Sequence, residues 1–138
     1  MSYGNSRGAG AYQQVHIQGG VENADPHGLV KMLMDGALER IRFAGGCMAS
    51  GNVAGKGEAI SKAIDIVGAL QSGLNPEVDT PLVAQLDSLY DYMSRRLLHA
   101  NLHDDQDALD EVSRLLSQIR ESWMAIPAEA RQVPGAGA

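Results

Sequence analysis

The chain has 138 residues, 44% of them apolar but only 4% aromatic, and a formal charge of −6 at neutral pH. That length fills one domain and buries a core without disulfide staples, so the core must be built from aliphatic side chains. Eleven scattered cations under a net negative charge argue against nucleic-acid binding, and Cys47, being alone, excludes an internal disulfide or thiolate cluster.

Residues 1–24 are rich in Gly, Ser, Asn and Gln, too polar to bury much surface, and read as a flexible tail. The first residues lack the apolar core of a signal peptide and no run reaches membrane-spanning length. The expectation is a cytoplasmic protein without membrane insertion. One patch around residues 12–17 interrupts the tail: Tyr12, Val15 and Ile17, which read as a short helical turn or an extended anchor.

Asp25-Pro26 opens the first helix, because Asp caps well and proline's missing N–H costs nothing at the first helical position. Val30, Leu33, Ala37, Ile41, Ala44 and Met48 recur at steps of three and four, the spacing of one buried helical face. Gly36 within this helix is read as letting another backbone come close. The Gly45-Gly46 pair predicts fraying or a bend, since each glycine costs roughly 1 kcal/mol against alanine in a helix interior. Ser50-Gly51-Asn52 breaks the pattern.

Ile60, Ala63, Ile64, Val67, Leu70 and Leu74 mark helix two, which Asn75-Pro76 ends. Thr80-Pro81 starts helix three, with Leu82, Leu86, Leu89, Met93, Leu97 and Ala100 as its stripe. Tyr90, Tyr92, Leu98 and Leu102 add a second, partly apolar flank. A small bundle needs one apolar face per helix, so the second flank calls for a partner or a covering segment. Asp104 and Asp105 cap helix four, whose stripe is Leu109, Val112, Leu116, Ile119, Trp123 and Ile126. Pro127 ends it, and 127–138 read as a disordered tail. Four helices of roughly 30 Å with short connections predict an all-α, antiparallel four-helix bundle over residues 25–126.

The residues offer little chemistry. A di-metal carboxylate site needs Glu-x-x-His, and no glutamate here has a histidine three residues later. His99 and His103 lie four apart, near Asp104 and Asp107, but histidines at a helix C-terminus are already favoured by the dipole. No metal or cofactor is expected. His27-Gly28-Leu29-Val30-Lys31 distantly matches a histidine phosphotransfer pattern, which keeps a phosphotransfer-type signalling bundle as the alternative reading. That chemistry wants an exposed mid-helix imidazole, however, and His27 directly follows Pro26. Cys47 has no base beside it. Asp91 and Arg95 are spaced for an i,i+4 pair. No enzymatic activity is expected, and the residues leave monomer and homodimer open.

The apolar residues that a two-layer core cannot all absorb are Ile64, Val67, Leu74, Leu86, Tyr90, Met93 and Leu97. These are the candidate groove for a helical guest, with the methionines as adaptable lining. Tyr12, Val15 and Ile17 are the candidate cap over it.

The segments Tyr12-Gln13-Gln14-Val15, Asp25-Pro26-His27-Gly28-Leu29-Val30 and Leu33-Met34-Asp35-Gly36-Ala37-Leu38 resemble the FliS family of flagellar export chaperones. So do Lys56-Gly57-Glu58, Ser61-Lys62-Ala63, Leu89-Tyr90-Asp91-Tyr92-Met93 with Arg95-Arg96-Leu97, and Glu111-Val112 followed by Leu115-Leu116, Arg120 and Trp123. The likeness runs in order from about residue 12 to residue 126. It departs at Met34, where the family usually has tyrosine, at Gly45-Gly46, and in the glycine-rich stretch before Tyr12. The resemblance implies an antiparallel helical bundle that binds the C-terminal segment of newly made flagellin in the cytoplasm. It implies further that the chaperone prevents premature polymerisation and presents the subunit to the flagellar export gate.

Overall fold

A computed structural model describes residues 25–75, 77 and 80–127. The cap residues Tyr12, Val15 and Ile17, and the tail after Pro127, lie outside that range.

Four helices follow in chain order: α1 (Pro26–Ser50), α2 (Val53–Ser72), α3 (Pro81–His103) and α4 (Gln106–Met124). Each start is set by a side-chain cap. Asp25 accepts from the Gly28 N–H at 2.8 Å, Asn52 from Gly55 at 3.0 Å, Thr80 from Val83 at 3.2 Å and Asp105 from Ala108 at 3.2 Å. α1 stops at Gly51, whose φ of 77° lets the Asn52 N–H reach back to the Cys47 carbonyl at 2.8 Å. Asp104 ends α3 in the same left-handed region, at φ 50°, so only Asp105 caps α4.

Two-residue turns, Gly51-Asn52 and Asp104-Asp105, force antiparallel pairs α1–α2 and α3–α4; the α2–α3 link, residues 73–80, is longer. α1 packs on α2 and α4, and α3 on α2 and α4, with no close backbone approach across either diagonal among the described residues. The helices therefore form a square in chain order. The core is aliphatic, as composition requires: Met34, Ile60, Val67, Met93, Leu97, Leu109, Val112 and Leu116 are sealed. Burial of each stabilises by about 1.5–3 kcal/mol. Ala37, Ala44, Ala63 and Ala100, all at 0% exposure, let the helices approach.

The glycines in α1 behave differently from expectation. α1 runs unbroken through Gly45 and Gly46 to Ser50. A side chain at Gly45 would meet the carboxamide of Gln106, which donates to the Gly45 carbonyl at 3.2 Å. That glycine makes room for a tie between α1 and α4. Gly36 faces the Ile66 side chain, not a neighbouring backbone.

Candidate functional site

The two ends of the bundle differ. At the end holding the Gly51 and Asp104 turns, polar side chains tie the helices together, although Val53 and Leu102 stay 72% and 69% exposed. Buried Lys56 donates to the Asn101 carbonyl at 3.0 Å and to Asp104 at 2.5 Å. Glu111 accepts from the Tyr92 hydroxyl at 2.7 Å and from Arg96 Nε at 2.8 Å, while His99 Nε2 lies 3.1 Å from Asp105. These contacts shift the groups that make them. Hydrogen bonds from Tyr92 and Arg96 hold Glu111 below its ordinary value, and the same contact raises Tyr92. The Ala108 N–H, with a smaller contribution from His99, lowers Asp105.

At the other end, where α1 and α3 begin and α2 and α4 finish, apolar side chains are only half covered. No residue from Pro81 to Leu89 is buried; Leu82 is 63% exposed, and Leu86 and Leu89 are intermediate. Val30, Leu74, Leu115, Ile119 and Ile126 are half-buried around the same end. An open hollow of about 460 Å³ lies against Ala84, Gln85, Ser88, Leu89 and Tyr92.

One contact closes this end on the α1–α4 side. His27 Nε2 donates to the Trp123 carbonyl at 2.7 Å, Trp123 Nε1 donates to the His27 carbonyl at 2.9 Å, and the rings stack with centroids 4.9 Å apart. One turn away, Arg120 pairs with Asp35, which also accepts from Lys31 at 2.8 Å. Burial pulls Asp35 upward, but the hydrogen bonds from Arg120 and Lys31 outweigh it and leave the carboxyl below its ordinary value.

The seven groove candidates separate. Val67, Tyr90, Met93 and Leu97 lie in the sealed core, so none is open surface while the bundle is closed. Ile64, Leu74 and Leu86 are half-buried, and Leu74 and Leu86 belong to the loosely covered end. Of the second flank on α3, Tyr90 joins the core and Tyr92 ties to α4, whereas Leu98 and Leu102 stay 51% and 69% exposed. Sequence reasoning passed over the His27–Trp123 clasp, because its partners stand 96 residues apart.

The clasp removes His27 as a phosphotransfer site. His27 is 4% exposed and its Nε2 is engaged, so no phosphoryl donor can reach an open imidazole. The rings of His99 and His103 lie 4.6 Å apart, tilted at 44° to each other. Among the described residues no group of three or more His, Cys, Asp or Glu could hold a metal ion. Cys47 is buried. Among the same residues, no helix is long and apolar enough to cross a membrane. What remains is a helical bundle whose apolar side chains are only half covered where α3 begins, the build of a binding protein.

The family pattern described as "Flagellar protein FliS" matches residues 8–130. The "Flagellar secretion chaperone FliS" of Salmonella typhimurium is 45% identical over 124 residues, covering 89% of this chain and 92% of that protein. The "Flagellar secretion chaperone FliSB" of Pseudomonas aeruginosa is 44% identical over 83% of this chain and 91% of its own length. The Bacillus subtilis protein of the same description as the Salmonella one is 35% identical over 92% of each. The chain belongs to the FliS family. It is a chaperone of flagellar export and not an enzyme.

Proposed function

We propose that this chain works in the cytoplasm as an ATP-independent chaperone for flagellin. It binds the C-terminal segment of the newly made subunit, keeps it from polymerising prematurely, and presents it to a component of the flagellar export gate. The observation that carries this reading is the loosely covered apolar end in a family of flagellar secretion chaperones. An unassembled filament end is amphipathic and self-associates unless its apolar face is covered. Half-buried Leu74 and Leu86 are suited to begin that cover, and core residues Val67, Tyr90 and Met93 lie behind them.

Tyr12, Val15 and Ile17 are proposed to cap part of this surface until the client displaces them. A cap of this kind lowers apparent affinity, because the client binds only the uncapped fraction. Removing residues 1–18 should then tighten client binding or raise self-association, seen by calorimetry and light scattering. If both stay unchanged, the cap idea is wrong.

The test of the function itself is co-purification with flagellin. A complex with full-length flagellin that is lost when the flagellin C-terminal segment is removed supports the reading. No complex, or one indifferent to that truncation, overturns it.

A further inference from the structure

The polar ties between helices are unevenly distributed, and the unevenness points to a moving part. The α1–α4 seam is tied at both ends: Gln106 to the Gly45 carbonyl at one, the His27–Trp123 clasp and Asp35–Arg120 at the other. The α2–α3 seam is also tied at both ends, by Lys56 with Asp104 and by Gln71 with Asp87 at 3.0 Å. The α1–α2 seam is held, among the described residues, by its Gly51-Asn52 turn and by apolar packing, and the α3–α4 seam is tied in one half only. Tyr92, Arg96 and His99 hold Glu111 and Asp105 in one half. Among the described residues, no hydrogen bond or ion pair joins residues 81–89 to α4. Those nine residues contain no buried side chain, carry the hollow at Ala84–Tyr92, and follow the longest link in the bundle.

We propose that residues 81–89 form a jaw. Hinged where Tyr92 and Arg96 grip Glu111, the jaw swings from the C-terminal half of α4 to admit an amphipathic helix, while the His27–Trp123 clasp stays shut. The occupant is the client helix of the function proposed above, so the inference rests on that reading for its guest but not for its motion. The jaw keeps its tie to α2 through Gln71 and Asp87, whereas apolar contact alone holds residues 81–89 to α4, and a helical guest replaces that contact in kind. Opening uncovers Tyr90 and Met93, sealed at 3% and 0% exposure in the closed bundle. Leu97 lies beyond the hinge and remains core. Elements that open for ligands are drawn from the least stable part of a fold, and here that part is identifiable residue by residue.

Hydrogen exchange on the full chain tests the motion without any client. Amides 85–90 should exchange at least ~10-fold faster than amides 93–103 of the same helix and amides 116–123 of α4. Ordinary fraying of a helix end would give a similar gradient, so a variant is needed. Glu111→Ala removes the hinge and should extend the fast zone beyond Tyr92 toward His99, whereas fraying from Pro81 would not respond. Uniform protection along α3, an unmoved boundary in Glu111→Ala, or faster opening of the α4 end overturns the jaw. With a flagellin C-terminal peptide added, amides 85–90 should become protected while fluorescence of Trp123, the single tryptophan, stays constant. A change in that fluorescence means that the clasp opens and overturns the proposal. A peptide that fails to bind refutes the flagellin reading, and exchange in the free protein still decides the jaw.

Discussion

Trp123 and His27 each donate a hydrogen bond to the other's backbone carbonyl, at 2.9 and 2.7 Å, with their rings stacked between. This reciprocal contact joins the first turn of α1 to the last turn of α4 and sets which seam of the open end is fixed. Trp123→Phe keeps a ring but loses the indole donor, and should cost about 1 kcal/mol. Trp123→Ala should cost about 3 kcal/mol or more. Denaturant unfolding followed by circular dichroism measures both. Equal stability of wild type and Trp123→Phe would remove the hydrogen bond from the explanation.

The glycines of α2 should respond oppositely to the same change. A Cβ at Gly55 would sit 2.9 Å from the buried Cys47 sulfur and 2.5 Å from the Asn52 carboxamide, which is held in place as the α2 cap. Gly55→Ala should therefore destabilise by about 1–2 kcal/mol despite the better helix former. At Gly68 nothing lies within 4 Å, so Gly68→Ala should stabilise by about 0.5–1 kcal/mol. Melting curves of the two variants decide, and shifts of the same sign would contradict the packing described at Gly55.

Asp104 combines a left-handed backbone, φ 50°, with an ion pair to buried Lys56. Asp104→Gly loses the pair but relaxes the backbone; Asp104→Ala loses the pair and keeps the strain. The glycine variant should be the more stable of the two by about 1 kcal/mol. Chemical denaturation ranks them.

Acid should loosen the α3–α4 and α1–α4 seams. Glu111, Asp105 and Asp35 are all held below their ordinary values in the fold, so the unfolded chain binds protons more readily than the native one. Stability is then fully present above the ordinary carboxylate range and is lost as pH falls below about 4, through the depressed native values. Glu111→Gln should lower the melting temperature at pH 7 more than at pH 3, because below the ordinary carboxylate range the unfolded chain already binds the proton and the charge contributes less to stability. A penalty independent of pH would show that the Tyr92–Arg96–Glu111 cluster contributes shape rather than charge.

The helix starts were readable because their signals are local: Asp25-Pro26, Thr80-Pro81 and Asp105 each sit beside the N–H groups that they satisfy. The α4 stripe was readable for the same reason, with Leu109, Val112 and Leu116 buried as their spacing requires. Height along the bundle was not. In α3 one periodic stripe runs from Leu82, 63% exposed, to Leu97, fully sealed. Periodicity gives the face a residue lies on, and says nothing of whether a neighbouring helix reaches that level. Val67, Tyr90, Met93 and Leu97 consequently looked like surplus apolar surface when they are core. The clasp and the Gly45–Gln106 tie depend on residues far apart in sequence, which no local pattern relates.

The most direct measurement is calorimetric titration of a flagellin C-terminal peptide into the full chain and two charge-insertion variants, each confirmed folded by circular dichroism. Leu86→Glu places a charge on the half-buried surface of the open end; Phe43→Glu changes an exposed apolar residue on α1, 57% accessible. Binding should persist in Phe43→Glu and weaken by about 10-fold or more in Leu86→Glu, the cost of desolvating a carboxylate against an apolar guest. Unchanged affinity in Leu86→Glu, or loss in Phe43→Glu alone, would place the client elsewhere on the bundle.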